Sequence, residues 1–243
     1  MAARGVRELA LPDASAAHDT KANSVLRPIV FGANDGLVSN LALVMGVAGA
    51  NPAPEIIVLA GIAGLLAGAF SMGVGEYISV QSQRELLDFQ IAFQRKQLRE
   101  APDQERAILK RLYTERGFTP ERADEFTDAV FDDEEHAVRL LIFEEVGLDA
   151  RSIGSPFAAA GGSFVAFTAG ALIPLVPFLL TSGSVAFWGS VGVSLIALAI
   201  LGVGIATLTR RPLVYGAIRQ MALGGIAAAV TYGVGGLLGA SGI

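Results

Sequence analysis

The amino-acid sequence predicts an all-α polytopic membrane protein with five transmembrane helices and a cytoplasmic three-helix insert between spans 2 and 3. Three observations carry that prediction. Of 243 residues, 52% are apolar and only 17% are charged, against about 25% charged in a typical soluble domain. Residues 152–209 run for 58 positions without a charged residue or histidine, 220–243 for 24, 36–54 for 19 and 56–75 for 20. About 20 helical residues cross a hydrocarbon core of about 30 Å. Finally, the charge is gathered: residues 81–153 hold 17 of the 23 acids and 11 of the 18 bases, a net of −6, and the rest of the chain nets +1. This pattern excludes a wholly soluble enzyme, a disordered chain and a secreted domain. The absence of cysteine excludes disulfides, thiolate metal sites and cysteine nucleophiles.

Residues 1–27 read as a polar, mobile tail of mixed charge, without the apolar stretch of a signal peptide. Spans 1 and 2 occupy residues 28–80. Pro28 is suited to the first turn of a helix, and span 1 (28–50) ends at the turn signal Asn51-Pro52-Ala53-Pro54. Span 2 (55–80) meets no breaker before Gln81, so nothing prevents one helix from running on into the insert. The insert, residues 81–153, reads as three helices: about 81–100, about 103–116 between Pro102-Asp103 and Gly117, and a third from Thr119-Pro120 to Gly147 with room for a break near Phe131-Asp132. Ile108, Leu109, Leu112, Val138, Leu141 and Ile142 recur at helical spacing and would pack these together.

Residues 154–243 hold spans 3–5. A single helix over the longest neutral run would be about 87 Å long, so the chain must fold back, most naturally at Thr181-Ser182-Gly183-Ser184. That gives span 3 at 156–180 and span 4 at 184–208; Arg210-Arg211-Pro212 then separates span 5 at 213–240. Pro174 and Pro177 should kink span 3 or open it toward a cavity. Glycines such as Gly202, Gly204 and Gly224 suit close helix approach. Basic residues precede span 1 and join spans 4 and 5 but are absent from the turns at 51–54 and 181–184. The N-terminus and insert are therefore expected in the cytoplasm, and the C-terminus outside. Arginine supplies 15 of the 18 bases and Ala and Gly abound; this composition resembles that of GC-rich prokaryotes and favours an inner cell membrane over a vacuolar one.

The residues that could carry chemistry lie inside the membrane. Asp35 sits about two turns into span 1, beside Asn34 and ahead of Ser39 and Asn40; Met72 and Glu76 share one face of span 2. An ionisable side chain at the bilayer centre costs about 2.5–3.5 kcal/mol even on the lenient scale, and so marks a cavity, a partner or a pathway. No Lys or Arg lies within spans 1–4 to neutralise Asp35 or Glu76. Two carboxylates and a thioether call for a divalent cation or protons: carboxylate oxygens suit Mg2+, Ca2+ and Mn2+, and the thioether shifts preference toward softer ions such as Fe2+. The plainer reading has Asp35 capping a broken helix, Met72 packing in the core and Glu76 at the headgroup level.

In the insert, Asp124, Asp128, Asp132, His136 and Glu144 recur at multiples of four and would form a stripe on one continuous helix. Such a stripe could hold a metal or draw cations toward a pore mouth. It equally fits a solvated face, with Asp132 and Glu135 as a variant capping box. No phosphate loop, Ser/His/Asp set or basic patch for nucleic acid is present, so neither an enzyme nor a nucleic-acid partner is expected.

Two segments carry a family resemblance. Arg27-Pro28-Ile29-Val30-Phe31-Gly32-Ala33-Asn34-Asp35-Gly36-Leu37-Val38-Ser39-Asn40 is similar to the first-span signature of the vacuolar iron transporter family, and Phe70-Ser71-Met72-Gly73-Val74-Gly75-Glu76-Tyr77-Ile78-Ser79 to its second-span signature. The five-span plan with an insert after span 2 matches as well. The resemblance implies export of Fe2+, often also Mn2+, from the cytoplasm by proton antiport, through a homodimer whose pathway lies between paired first spans. It implies no permanently bound cofactor. Asp35 and Met72 would be intramembrane metal ligands, and Glu76 a ligand or proton carrier at the inner mouth. The family's insert is a glutamate-rich metal-binding domain. Here its ligand positions fall on Gln94 and Gln97, on Glu105 and Ile108, and on Leu140, Leu141 and Glu144, so only Glu105 and Glu144 retain a carboxylate. A second reading, from a different class, is a membrane-anchored metal-binding or metal-sensing protein whose acidic insert is the working part. A ferroxidase is a poorer third, since paired carboxylate–histidine motifs are missing.

Overall fold

The computed structural model describes residues 14–146 and 154–241. Among them the helices are α1 (Ala14–Gly49), α2 (Pro54–Glu100), α3 (Pro102–Glu115), α4 (Pro120–Phe131), α5 (Glu134–Val146), α6 (Pro156–Leu180), α7 (Gly183–Leu208) and α8 (Leu213–Ala240). No strand occurs among the described residues. Five stretches are long and apolar enough to cross a membrane: Arg27–Gly49 of α1, and α2, α6, α7 and α8. These are the five spans the sequence predicts.

Two boundaries differ from expectation. Pro28 lies inside α1 rather than at its start. No Gly or Pro interrupts residues 14–27, so the helix runs back from the span, and a proline in a membrane helix is tolerated where neighbouring groups compensate for its missing N–H. The third insert helix is two helices. Asp132 caps the C-terminus of α4, and the Asp133 carboxylate accepts from the backbone N–H groups of Glu135 (3.0 Å) and His136 (3.2 Å) at the start of α5. The cap is thus Asp133, one residue beyond the Asp132 of the expected capping box, and it stops α4 and α5 from merging. Residues 1–13 of the tail and the Gly147 stop lie outside the described residues.

The chain divides into two compact units, Val25–Tyr77 with Pro156–Ile243, and Met1–Ser24 with Ile78–Ser155. In the first, α1 is the hub. Leu37, Leu41, Val44 and Met45 are buried in one cluster with Ile57 of α2, Leu175 of α6, Leu198 of α7 and Ala228 of α8. The 4–3 spacing of Leu37, Leu41 and Val44 sets one stripe of α1 against its neighbours. Close approach comes from glycine. A Cβ on Gly36 would run into the Phe167 backbone carbonyl, and one on Gly170 into the Ala33 carbonyl, so α1 and α6 touch backbone to backbone. Lipid tails are as apolar as leucine, and van der Waals fit of this kind is what holds membrane helices together. The Ser190 hydroxyl of α7 donates to the Pro174 carbonyl of α6 at 2.6 Å, beside both prolines of that helix.

The second unit has a conventional leucine-rich core. Leu109 and Tyr113 of α3, Phe126 and Val130 of α4, and Leu140 and Leu141 of α5 are buried together, and Leu87 of α2 packs with Val138 and Ile142.

The α1–α6 contact predicts a sharp contrast between two glycines. Gly36→Leu forces the helices apart and should cost at least about 1–3 kcal/mol, the usual penalty for overpacking. Gly204→Ala, where an added Cβ meets nothing within 4 Å, should leave stability unchanged or slightly raised. Unfolding of the purified protein in mixed micelles with increasing SDS reads both.

Candidate functional site

Inside the membrane-spanning unit lies a cavity of about 250 Å3. From α1 it is lined by Asp35, Ser39, Asn40 and Leu43, from α2 by Gly64, Gly68, Ser71 and Met72, and from α6 by Phe167. The residue types explain the space. On α2, Gly64 presents no side chain to α1 and Gly68 none to α6: a Cβ on Gly68 would strike the Phe167 ring, and one on Gly64 would meet Leu43 and approach the Asn40 Oδ1 to 3.1 Å.

The orientation of α1 is set by two amides. Asn40 Nδ2 donates to the Ala171 carbonyl of α6 at 2.7 Å. Gln220 Nε2 of α8 donates to Asn34 Oδ1 at 2.6 Å. With one face tied to α6 and another to α8, and about 100° of rotation per residue, Asp35 is left on the side that lines the cavity. Among the described residues no Lys, Arg or His forms an ion pair with Asp35. Met72 is half-buried; it packs beside Leu65, Ala69, Phe167 and Ala171 and also lines the cavity. The packing role and the ligand role considered for this thioether are therefore compatible.

The cavity brings together Asp35 and Met72. Glu76 lies one turn farther along α2, half-buried, and is not among the lining residues. Asn34 does not line this cavity either, because its side chain is turned to Gln220. Three contributors escaped the sequence reading as site residues: Asn40, Ser71 and Gln220. A polar side chain in an apolar run is the signal that finds them. Gln220 is an amide that opens the uncharged run 220–243, and Asn40 is only 2% exposed. The cavity offers a carboxylate, two serine hydroxyls, an amide and a thioether in apolar surroundings. That donor set fits a divalent first-row cation.

The acids of the insert are disposed differently. Because α4 and α5 are separate helices, the stripe from Asp124 to Glu144 is not continuous. Its members are engaged locally: Asp124 pairs with Lys110 (2.6 Å), Asp128 with Arg106 (2.6 Å), and Glu144 with Arg116. Glu134 and Glu135 pair with Arg99 and Arg95. His136 enters the α5 cap through its backbone N–H. Of the positions singled out by resemblance, Leu140 and Leu141 are core residues, and Gln94 and Glu105 are buried. Among the described residues no group of three or more His, Asp or Glu side chains is placed to hold a metal ion. The Glu144 side chain is only 6% exposed. It accepts from Tyr113 Oη at 2.9 Å and from Arg116 Nη1 at 2.8 Å. Burial, and then the hydrogen bond and charge of Glu144, push the Tyr113 phenol above its ordinary range, so it stays a donor at any physiological pH. A guanidinium thus supplies the positive charge at the largely buried Glu144 carboxylate.

Residues 26–236 match the VIT family. The chain is 38% identical over 211 residues to a protein named vacuolar iron transporter from Acanthamoeba castellanii, covering 86% of this chain and 77% of that one. It is 29% identical over 223 residues to vacuolar iron transporter 1 of Eucalyptus grandis (90% and 88%), and 28% identical over 216 residues to vacuolar iron transporter 1 of Arabidopsis thaliana (87% and 85%).

The Arg116–Glu144 pair yields a stability prediction. Arg116→Met leaves a largely buried carboxylate with only the Tyr113 hydroxyl, and should destabilise the insert by about 1–2 kcal/mol, discounted because the guanidinium is partly in water. Adding Glu144→Gln should recover most of the loss. Hydrogen exchange of peptides from 102–146 in the full-length protein measures both variants.

Proposed function

Since the chain belongs to the VIT family, we propose that it exports Fe2+ or Mn2+ from the cytoplasm in exchange for protons, as a homodimer. At the coarser level it is an integral membrane transporter of metal ions and not an enzyme. The observation that carries the finer reading is the Asp35 carboxylate: it lines a cavity within the spans, shares that cavity with Met72, and has no cationic side chain as partner among the described residues. A carboxylate in such surroundings needs a counter-charge that the protein does not supply. A travelling divalent cation meets that need, and so do protons. One site therefore serves both, and loading either displaces the other, which is the basis of exchange transport.

The cytoplasmic placement of the N-terminus and insert rests on the basic residues beside the spans, and an inner cell membrane rests on composition alone. Exposed apolar side chains on α1 and α2, among them Phe31, Leu43 and Phe70, suit lipid or the face of a second copy. No cofactor is required: the metal is cargo. Glu76, one turn from Met72, is proposed as a ligand or proton carrier on the inner side.

The alternative, an anchored metal sensor working through its insert, is less well supported. The insert's paired acids already hold Arg or Lys partners, and an anchor has no use for a carboxylate-lined cavity within its spans. In the insert, Glu105, Glu144, Asp128, Asp132 and His136 are therefore proposed at most to draw cations toward the membrane.

In proteoliposomes loaded with a metal-sensitive dye, the wild-type protein should move Fe2+ and Mn2+, faster under an opposing pH gradient. Asp35→Asn should reduce flux to background while dimerisation and melting temperature stay unchanged. Wild-type flux from that variant would refute the site. Tight Mn2+ binding by the full chain that survives Asp35→Asn, with no flux in the wild type, would favour the sensor.

A further inference from the structure

The transport reading assigns the cation to Asp35 and Met72, yet the same cavity contains an acceptor with nothing to accept. Asn40 is 2% exposed, and its Oδ1 has no hydrogen-bond partner. Its Nδ2 is committed to the Ala171 carbonyl at 2.7 Å, which fixes the amide plane and leaves the oxygen on the opposite side. Asn40 is one of the residues that line the cavity, and its Oδ1 lies 3.1 Å from the position a Cβ would take on Gly64, another lining residue. A larger residue than glycine at 64 would cover the oxygen. A buried polar group without a partner is uncommon and asks for an explanation. In hydrocarbon surroundings, bulk water is not at hand to provide one.

We propose that the Asn40 side-chain oxygen is a second, uncharged ligand station for the transported divalent cation, about 7.5 Å along α1 from Asp35. The proposal rests on the transport reading above and extends it. Asp35 attracts the cation by charge and Met72 adds a polarisable sulfur. Asn40 then offers a hard, neutral oxygen of the kind Mn2+ and Fe2+ accept. A pathway needs both kinds of site: a cation held only by carboxylate enters readily and leaves slowly, and a neutral station gives it somewhere to go. The tie to Ala171 serves this function too, because a fixed amide presents its oxygen without reorganising.

The test uses the full-length protein in proteoliposomes, with Mn2+ as the probe. Asn40→Leu keeps the branching of the side chain and removes the oxygen; the half-saturating Mn2+ concentration should rise about tenfold, the loss of one ligand. Asn40→Asp keeps an oxygen and adds charge, so half-saturation should fall while maximal flux slows. Gly64→Ala leaves Asn40 intact but crowds its oxygen, and should shift half-saturation in the same direction as Asn40→Leu. A purely structural role for Asn40 predicts something else: both substitutions lose the donor to Ala171 and lower flux alike, with half-saturation unchanged. That result, or a wild-type response from Asn40→Leu, overturns the proposal and leaves the transport reading intact. Absence of flux from the wild type would instead overturn the transport reading. In that case Mn2+ binding to the same variants in detergent, read from the free Mn2+ EPR signal, decides for Asn40: the same order of affinities supports the ligand, and equal affinities refute it.

Discussion

The rotation of α1 about its own axis is the variable on which the membrane unit depends. A helix turns about 100° per residue, so a roll of one position would exchange Asp35 for Asn34 or Gly36 at the cavity. Three contacts prevent the roll. Gly36 and Gly170 let α1 and α6 meet at their backbones, Asn40 reaches the Ala171 carbonyl, and Gln220 reaches Asn34 from the opposite side. The leucine stripe of Leu37, Leu41 and Val44 adds area but little direction, because apolar packing tolerates small slips that a backbone carbonyl against a glycine does not. Polar ties inside a bilayer are individually modest; combined with steric contact they leave Asp35 one direction to face.

Much of this was legible in the sequence. Neutral runs of bilayer length, separated by Asn51-Pro52, Ser182-Gly183 and Arg211-Pro212, place the ends of α6, α7 and α8 within a residue or so of where they lie. The apolar–polar contrast at a membrane is large, and helices there have no competitor. The misreadings fall where the contrast is weak. Pro28 suggested a start, yet α1 continues back to Ala14, since proline is a preference in a first turn and not a requirement. The split between α4 and α5 depends on which of two adjacent aspartates turns back to the backbone, and Asp132 and Asp133 look alike until the chain is folded. Asp35 and Met72 could be picked out by charge and spacing. Asn34 could not be sorted from Asn40, because both tie α1 to another helix and which of them also lines the cavity is decided by partners 131 and 186 residues away.

The insert shows how residues with metal-binding chemistry can be drawn into architecture. Asp124, Asp128, Glu134, Glu135 and Glu144 pair with Arg or Lys from outside their own helices, and Glu144 is held by both Arg116 and Tyr113. Leu140 and Leu141 contribute to a core with Leu109 and Phe126. That core is built from ordinary apolar burial.

The two ties that orient α1 are neutral amides. Asparagine and glutamine do not ionise across the pH range of living cells, and neither do the carbonyls they engage. If the carboxylate between them alternates between proton and cargo, its surroundings are indifferent to which one it holds. The framework that aims the carboxylate thus contains no titrating group of its own among these ties.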